Sequence, residues 1–341
     1  MINALAFSNG TPRGSGRVRV TPEDFYVVEE LGFEPAGHGE HFLIRVRKRS
    51  VNTDWVAGRL ASFAGVPARA VSYAGMKDRH AVAEQWFSVH FPRGAEPNWL
   101  GCVDSSFEIL QAVRHARKLR RGAHKGNRFR IVIRDVQGER GELEERLRHA
   151  AAHGVPNYFG AQRFGRDGGN LAHAEAMFLG REWVKDRHRR SLYLSAARAQ
   201  LFNAVLTSRV ARGDWNKAAV GDVMMLDGSR SVFRVDTLND VEQKRVACMD
   251  IHPTGPLWGH GELSSGEQVE VLERHVGATF PVLSRGLEQA GLTQERRALR
   301  LRLYSPTVDY AVNGDVTVGF QLPKGTFATT VLRELVALAD W

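Results

Sequence analysis

The chain has 341 residues and a mass of 38.0 kDa, too long for one ordinary core and suited to two domains of roughly 150 residues each. With 43% hydrophobic residues, 25% charged residues and no low-complexity tract, the composition excludes a disordered chain. Its 47 Lys and Arg against 38 Asp and Glu give a formal charge of +9 and a pI near 9.9, which favours a polyanionic partner without separating RNA, DNA and a membrane surface.

The opening segment alternates as strands do, through Val18 and Val20, then Phe25 and Val27, then Phe42, Ile44 and Val46, with Pro22-Glu-Asp and the Gly37/Gly39 loop as punctuation. Asn52 can cap a helix that puts Trp55, Val56, Leu60 and Phe63 on one face and stops at Gly65 and Pro67. Residues 71–74 and 85–91 read as strands joined by the loop Gly75-Met-Lys-Asp-Arg-His80, a setting that holds side chains firmly yet leaves them reachable. Residues 128–136, with Phe129, Ile131 and Ile133 on one side, form another strand, followed by a charged amphipathic helix over about 141–152. Strands and helices mix without strict alternation, so the pattern predicts an α+β fold with a mixed or antiparallel sheet.

Around Pro156 the texture changes to a Gly- and Arg-rich stretch over 157–170, then helical segments to Val210 and a short hairpin at Asp227-Gly228. Beyond Arg296 alternation returns in Val308, Tyr310 and Val312, an Asn313-Gly-Asp turn, and Val316, Val318 and Phe320. A last helix from about Thr326 carries Phe327, Val331, Leu335 and Ala339 on one stripe. A hairpin and helix of that size cannot form a core alone and should dock on the amino-terminal domain. The expected organisation is therefore 1–155 plus 304–341 as one domain, with 156–303 inserted.

No GxGxxG follows a strand, no Gly-Lys pair closes a P-loop and no GxSxG elbow occurs. Cys102 and Cys248 are too few for a disulfide framework or a zinc signature, and His149 with His153 in HAAAH lacks the Glu of the zincin motif, so both His read as a solvated helix face. No uncharged apolar run of about 18 residues occurs, and residues 1–16 lack the pattern of a secretory leader, so a cytoplasmic protein away from the membrane is expected.

Three features could carry chemistry. Asp78 lies in the cationic loop Lys77-Asp78-Arg79-His80, where a carboxylate stays ionised and can act as nucleophile, base or stabiliser of a cation at a sugar carbon. From the loop alone, a surface turn whose charges pair with one another is the plainer reading. Eight cations (Arg114, Arg117, Lys118, Arg120, Arg121, Lys125, Arg128 and Arg130) fall within seventeen residues without an Asp or Glu. They suit phosphate contacts leading to base recognition at Asn127 and stacking at Phe129, against the alternative of a solvated face. Phe25 and Phe327 are by spacing ordinary core aromatics.

Six stretches together resemble one family: PEDFYVVEELGFEPAGHGEHFLIRVR at 22–47, AGMKDRHAVAEQWFSV at 74–89, HKGNRF at 124–129, GVPNYFGAQRFG at 154–165, SAARAQLFN at 195–203 and LPKGTFATTVLREL at 322–335. They resemble the tRNA pseudouridine synthase D, or TruD, family over nearly the whole chain. The resemblance implies a pseudouridine synthase catalytic domain with a mixed, largely antiparallel sheet, interrupted by an α/β TRUD insertion domain at 156–303. It implies isomerisation of uridine 13 of certain tRNAs to pseudouridine, with Asp78 as the catalytic aspartate. Phe25, Asn127 and Phe327 match positions lining the uridine pocket, Phe129 matches an aromatic that replaces the tyrosine of other pseudouridine synthases, and Arg19 matches a basic residue that pairs with the aspartate. The basic residues Arg114, Arg117, Lys118, Arg120, Arg121 and Lys125 are expected to meet RNA backbone. The reaction gains and loses no atoms, so no cofactor and no metal is expected, with tRNA as the partner of a monomer. Competing readings are a non-catalytic tRNA-binding or chaperone protein on the same fold, an RNA methyltransferase and a nucleoside glycosidase.

Overall fold

The computed structural model describes residues 5–92 and 94–338. Two compact units emerge: one holds Arg13–Glu144, Leu303–Gly325 and the chain from Val336, the other the chain up to Pro12, Glu145–Arg302 and Thr326–Leu335. Ala339 lies outside the described residues.

The first unit is built on strands β1 (Ser15–Arg17), β2 (Phe25–Glu30), β3 (His41–Arg49), β4 (Val71–Tyr73), β5 (Val82–His90), β6 (Phe107–His115) and β7 (Gly126–Gln137). The carboxy-terminal hairpin Tyr304–Tyr310 and Val316–Pro323 joins them, giving the order Tyr304–Tyr310, Val316–Pro323, β7, β2, β5, β3, β6. Among the described residues the β2–β5 pairing and that of β1 with Ala337–Leu338 are parallel, and the other pairings in this sheet are antiparallel. This is the mixed, largely antiparallel α+β sheet that the family resemblance implies, one of the two forms the residue pattern left open.

Alternation decides which side chains share a face. On β2 the buried positions are Phe25, Val27 and Glu29, and their partners across β7 are Ile131, Phe129 and Asn127. Val318, Phe320 and Leu322 continue the same rows on the hairpin. The opposite face carries Tyr26 beside Arg130 and Val28 beside Arg128, together with Arg45, Arg47 and Glu84. The central strand β5 is buried along nearly its whole length although it contains Glu84, Gln85 and Ser88.

Helix α1 (Thr53–Phe63) buries Val56 and Leu60 completely against Val46 and Phe87, each worth about 1.5–3 kcal/mol of apolar burial. Trp55 and Phe63, expected on that face, lie at its rim at 42% and 41% exposure, with Trp55 edge-on to Phe107 and Phe63 beside Trp99. The expected alternation at Val18 and Val20 does not continue β1: the chain turns at Arg19, whose φ is 61°, and Val20 is exposed.

In the second unit the long helix Arg187–Ala211 buries Leu201, Phe202 and Leu206 among Phe159, Leu283 and Leu287. An antiparallel sheet runs in the order Val232–Arg234, Val223–Leu226, Ile251–Leu257, Glu295–Ala298. The helix Ala328–Leu335 belongs to this unit and rests on it through Thr330, whose hydroxyl donates to Tyr158 O at 3.2 Å. The hairpin before it and Ala337–Leu338 after it join the large sheet, so the helix packs apart from the strands that flank it in sequence. Among the described residues no helix is long and apolar enough to cross a membrane.

Where β7 meets the hairpin, a Cβ at Gly126 would lie 2.4 Å from Leu322 O. Gly126→Ala must push these strands apart one residue before Asn127. It is expected to destabilise the protein by ~1–3 kcal/mol, read from urea unfolding midpoints, whereas Gly141→Ala, in the helix Arg140–His153 with nothing near its Cβ, should leave the midpoint unchanged or raise it by up to about 1 kcal/mol.

Candidate active site

The loop between β4 and β5 is held by buried polar groups from three elements. Gln85 on β5 donates through Nε2 to Gly75 O. Thr53, first residue of α1, donates to Gln85 Oε1 at 3.0 Å and accepts from Lys77 N at 3.1 Å. Lys48 on β3 is wholly buried and donates at 2.8 Å to both Val51 O and Asp78 O. Burial pushes the Lys48 amine down to about 8, against the upward pull of Asp78.

These anchors leave little freedom to Asp78. Its Oδ1 accepts from His80 N at 2.9 Å, and Oδ2 lies 2.5 Å from Arg19 Nη2, with side-chain exposures of 19% for Asp78 and 23% for Arg19. The Arg19 guanidinium in turn lies over the Phe25 ring at 4.4 Å. Burial lowers the Arg19 pKa, and Asp78 opposes that shift. Phe25 follows the turn Pro22–Asp24, which Arg134 fixes by reaching Asp24 at 2.6 Å and Asp315 at 2.9 Å.

The cationic loop expected around Asp78 is therefore split. Lys77 turns inward and pairs with Glu29, both side chains nearly inaccessible, while Glu29 also accepts from Trp86 N at 3.2 Å. Burial raises the Glu29 pKa, partly offset by Lys77. Removing either partner would strand a buried charge at a cost of about 3–5 kcal/mol. Asp78 draws its counter-charge from Arg19, far away in sequence.

Phe129 meets Phe25 edge-on at 6.0 Å and Phe320 at 5.6 Å. Asn127 stands opposite Glu29 on the same sheet face, and its Oδ1 is buried with no hydrogen-bond partner among the described residues. A buried acceptor left open costs about 1–3 kcal/mol until something donates to it. His124, a residue that spacing did not single out, presents a second such atom, Nδ1, and is itself buried. Its segment is pinned to the loop by Gly122 N donating to Ala74 O at 2.7 Å and Ser72 Oγ donating to Leu119 O at 2.9 Å.

The basic run divides by strand geometry. Arg128 and Arg130 point to the sheet face opposite Asn127 and Phe129, so they do not extend the site surface. Arg114 is spoken for: it pairs with Glu96 at 2.7 Å, donates to Phe91 O at 2.9 Å and lies over the Phe42 ring at 4.0 Å. Arg117, Lys118, Arg120, Arg121 and Lys125 are exposed, with Arg121 over Tyr73 at 5.3 Å. Phe327 belongs to the second unit, where Arg163 lies over it at 5.9 Å.

The sequence pattern of the family described as tRNA pseudouridine synthase D (TruD) matches residues 1–186 and 184–335. A tRNA pseudouridine synthase D of Xanthomonas axonopodis pv. citri is 48% identical, covering 98% of this chain and 95% of that protein. One of Methylococcus capsulatus is 49% identical over 97% of this chain and 94% of its own length. A solved structure from Methanosarcina mazei, provisionally assigned as tRNA pseudouridine synthase D, superposes with a TM-score of 0.77 at 20% identity, covering 98% of this chain and 96% of that one; this likeness concerns the fold. The protein is an isomerase, a tRNA pseudouridine synthase. Within that class, the chain belongs to the tRNA pseudouridine synthase D family.

Burial, with Lys77 and Lys324 nearby, pushes the His124 imidazole down to about 4. The folded state then binds fewer protons than the unfolded state between pH 4 and the ordinary histidine value near 6.5, so stability falls as pH falls through that window. In urea titrations His124→Gln should remove a slope of up to about 1.4 kcal/mol per pH unit there. Equal slopes in variant and parent would mean that His124 is not held neutral.

Proposed function

We propose that the chain isomerises uridine 13 of tRNA to pseudouridine with Asp78 as the catalytic carboxylate. The observation that carries this reading is the carboxylate's setting: largely withdrawn from water, paired with Arg19 at 2.5 Å against the Phe25 ring, on a loop fixed by Gln85, Thr53 and Lys48. The family resemblance, which puts the catalytic aspartate at GMKDRHAV, supports the same residue. It also supports uridine 13 as the target and residues 156–303 as the insertion.

In the reaction the C1′–N1 bond breaks, the detached uracil turns, and C5 bonds to C1′ while its proton leaves; N1 ends with a proton, so the atoms balance. Asp78 either attacks C1′ or takes a proton from C2′ to give a glycal, and both routes need it ionised. Arg19 supplies the positive charge beside its Oδ2, and the His80 N–H donates to its Oδ1. The target base must leave the RNA stack to be reached. Phe25 and Phe129 offer apolar walls, and the open Asn127 Oδ1 is an acceptor for the N3–H of uracil. Phe327 as a further wall rests on the family resemblance alone. Exclusion of water by these rings protects the activated sugar from hydrolysis to free uracil.

Asp78→Asn is expected to abolish tritium release from tRNA carrying 5-tritiated uridine while tRNA affinity stays within a few fold; substantial release would refute the assignment. The exposed part of the basic run is tested separately. Replacing Arg117 and Arg121 together by Ala should lower the slope of log Kd against log salt by about 1–2. An unchanged slope would remove these residues from the RNA interface.

A further inference from the structure

The second unit carries a charged concavity that the chemistry at Asp78 does not use. It measures about 420 Å³ and is lined by Arg187, Arg190, Ser191, Ser195 and Arg198, with Leu292 at its side. That size lies within the roughly 300–1,000 Å³ of ligand sites and suits a nucleotide unit. No carboxylate is among these lining residues. Of the acids nearby, Asp186 accepts from Arg189 N at 2.7 Å and Glu182 pairs with His173 at 2.6 Å, while Glu295 stands 3.8 Å from Arg198 Nη1 and leaves Arg187 and Arg190 as the cations facing outward.

The inner wall is fixed. Arg198 donates through Nε to Trp258 O at 2.8 Å and through Nη2 to Thr293 O. Ser195 Oγ accepts from Arg163 Nη1 at 2.9 Å. Arg187 and Arg190 are exposed and stand on the outer side. Close by in sequence, Trp183 is 85% exposed between exposed Arg181 and Lys185. A bare indole forgoes the burial that makes aromatic side chains stabilising, and among cations it offers a stacking platform for an unpaired base.

We propose that this face is a second RNA-binding site: Arg187 and Arg190 hold a backbone phosphate of tRNA at the concavity, whose wall Arg198 fixes, and Trp183 stacks on a base of the same strand. The arginines supply charge and forked donors for phosphate oxygens, the serines supply neutral donors, and the indole tolerates any base. The site rests on tRNA being the substrate but is independent of which carboxylate performs the chemistry.

The test uses the whole protein with Arg187→Ala/Arg190→Ala as one variant and Trp183→Ala as another, all at exposed positions. Binding of substrate tRNA is measured by fluorescence anisotropy over about 50–200 mM salt. The double variant should raise Kd about tenfold and lower the salt slope by about 1–2. Trp183→Ala should raise Kd about fivefold or more with the slope unchanged. Both should act on Kd and raise KM in step with it, whereas Asp78→Asn should lose turnover with normal binding. Failure of the catalytic reading therefore appears in turnover, and failure of this one in affinity. Unchanged Kd in both variants overturns the proposal. So does a result in which inorganic phosphate binds the parent but not the double variant while tRNA affinity is equal, which would make the concavity a small-anion site.

Discussion

An ionised carboxylate that has lost most of its water must be given a counter-charge, and the Arg19–Asp78 pair is that provision. The pair is unusual in how it is reached. Arg19 occupies the left-handed region of backbone space at φ 61°, a conformation costing a residue with a side chain about 1–3 kcal/mol. That turn ends the strand after Arg17 and presents the guanidinium to Asp78 and Phe25 at once. Strain at such a point is sustained only where the surroundings dictate it. Here they do so through the Pro22–Asp24 turn and its clamp by Arg134.

The remaining buried charges serve position. Lys77, adjacent to Asp78 in sequence, is withdrawn to Glu29, and among the described residues the ion pair to the aspartate comes from Arg19. Lys48 spends its amine on two backbone carbonyls, one of them that of Asp78. The result is a loop whose backbone is set by β3, α1 and β5 while one side chain stays partly accessible. Sheet alternation then supplies the surroundings: the rows Phe25, Val27, Glu29 and Ile131, Phe129, Asn127 place aromatic walls and an open amide acceptor on one face. The same alternation sends Arg128 and Arg130 to the other side.

Much of the fold could be read from residue order because it depends on local periodicity. The strands flanking Gly75-Met-Lys-Asp-Arg-His80, the long strand through Phe129 and the Thr53–Phe63 helix all announce themselves by periodicity and breakers, although Asn52 at the helix start makes no side-chain capping bond. What local pattern does not contain is the partner across the fold. Arg19 sits between two valines that mimic a strand, Lys77 looks like the neighbour of Asp78 instead of the mate of Glu29, and Lys48 and His124 reveal their burial only once β3 and the Gly122 segment are packed. The strand Ile251–Leu257 contains Pro253 and Pro256, residues that argue against an interior strand, yet it pairs on both edges. The helix Ala328–Leu335 follows its hairpin in sequence and packs in the other unit, a separation that periodicity does not record.

The central claim is that Asp78 reacts at the sugar of an extruded uridine. A crystal structure of the Asp78→Asn protein bound to substrate tRNA tests it most directly. The expected result is uridine 13 out of the stack, its C1′ or C2′ within ~3.5 Å of the side chain at position 78, and its uracil N3–H donating to Asn127 Oδ1. A bound tRNA with that uridine still stacked, or with its ribose held away from position 78, would contradict it.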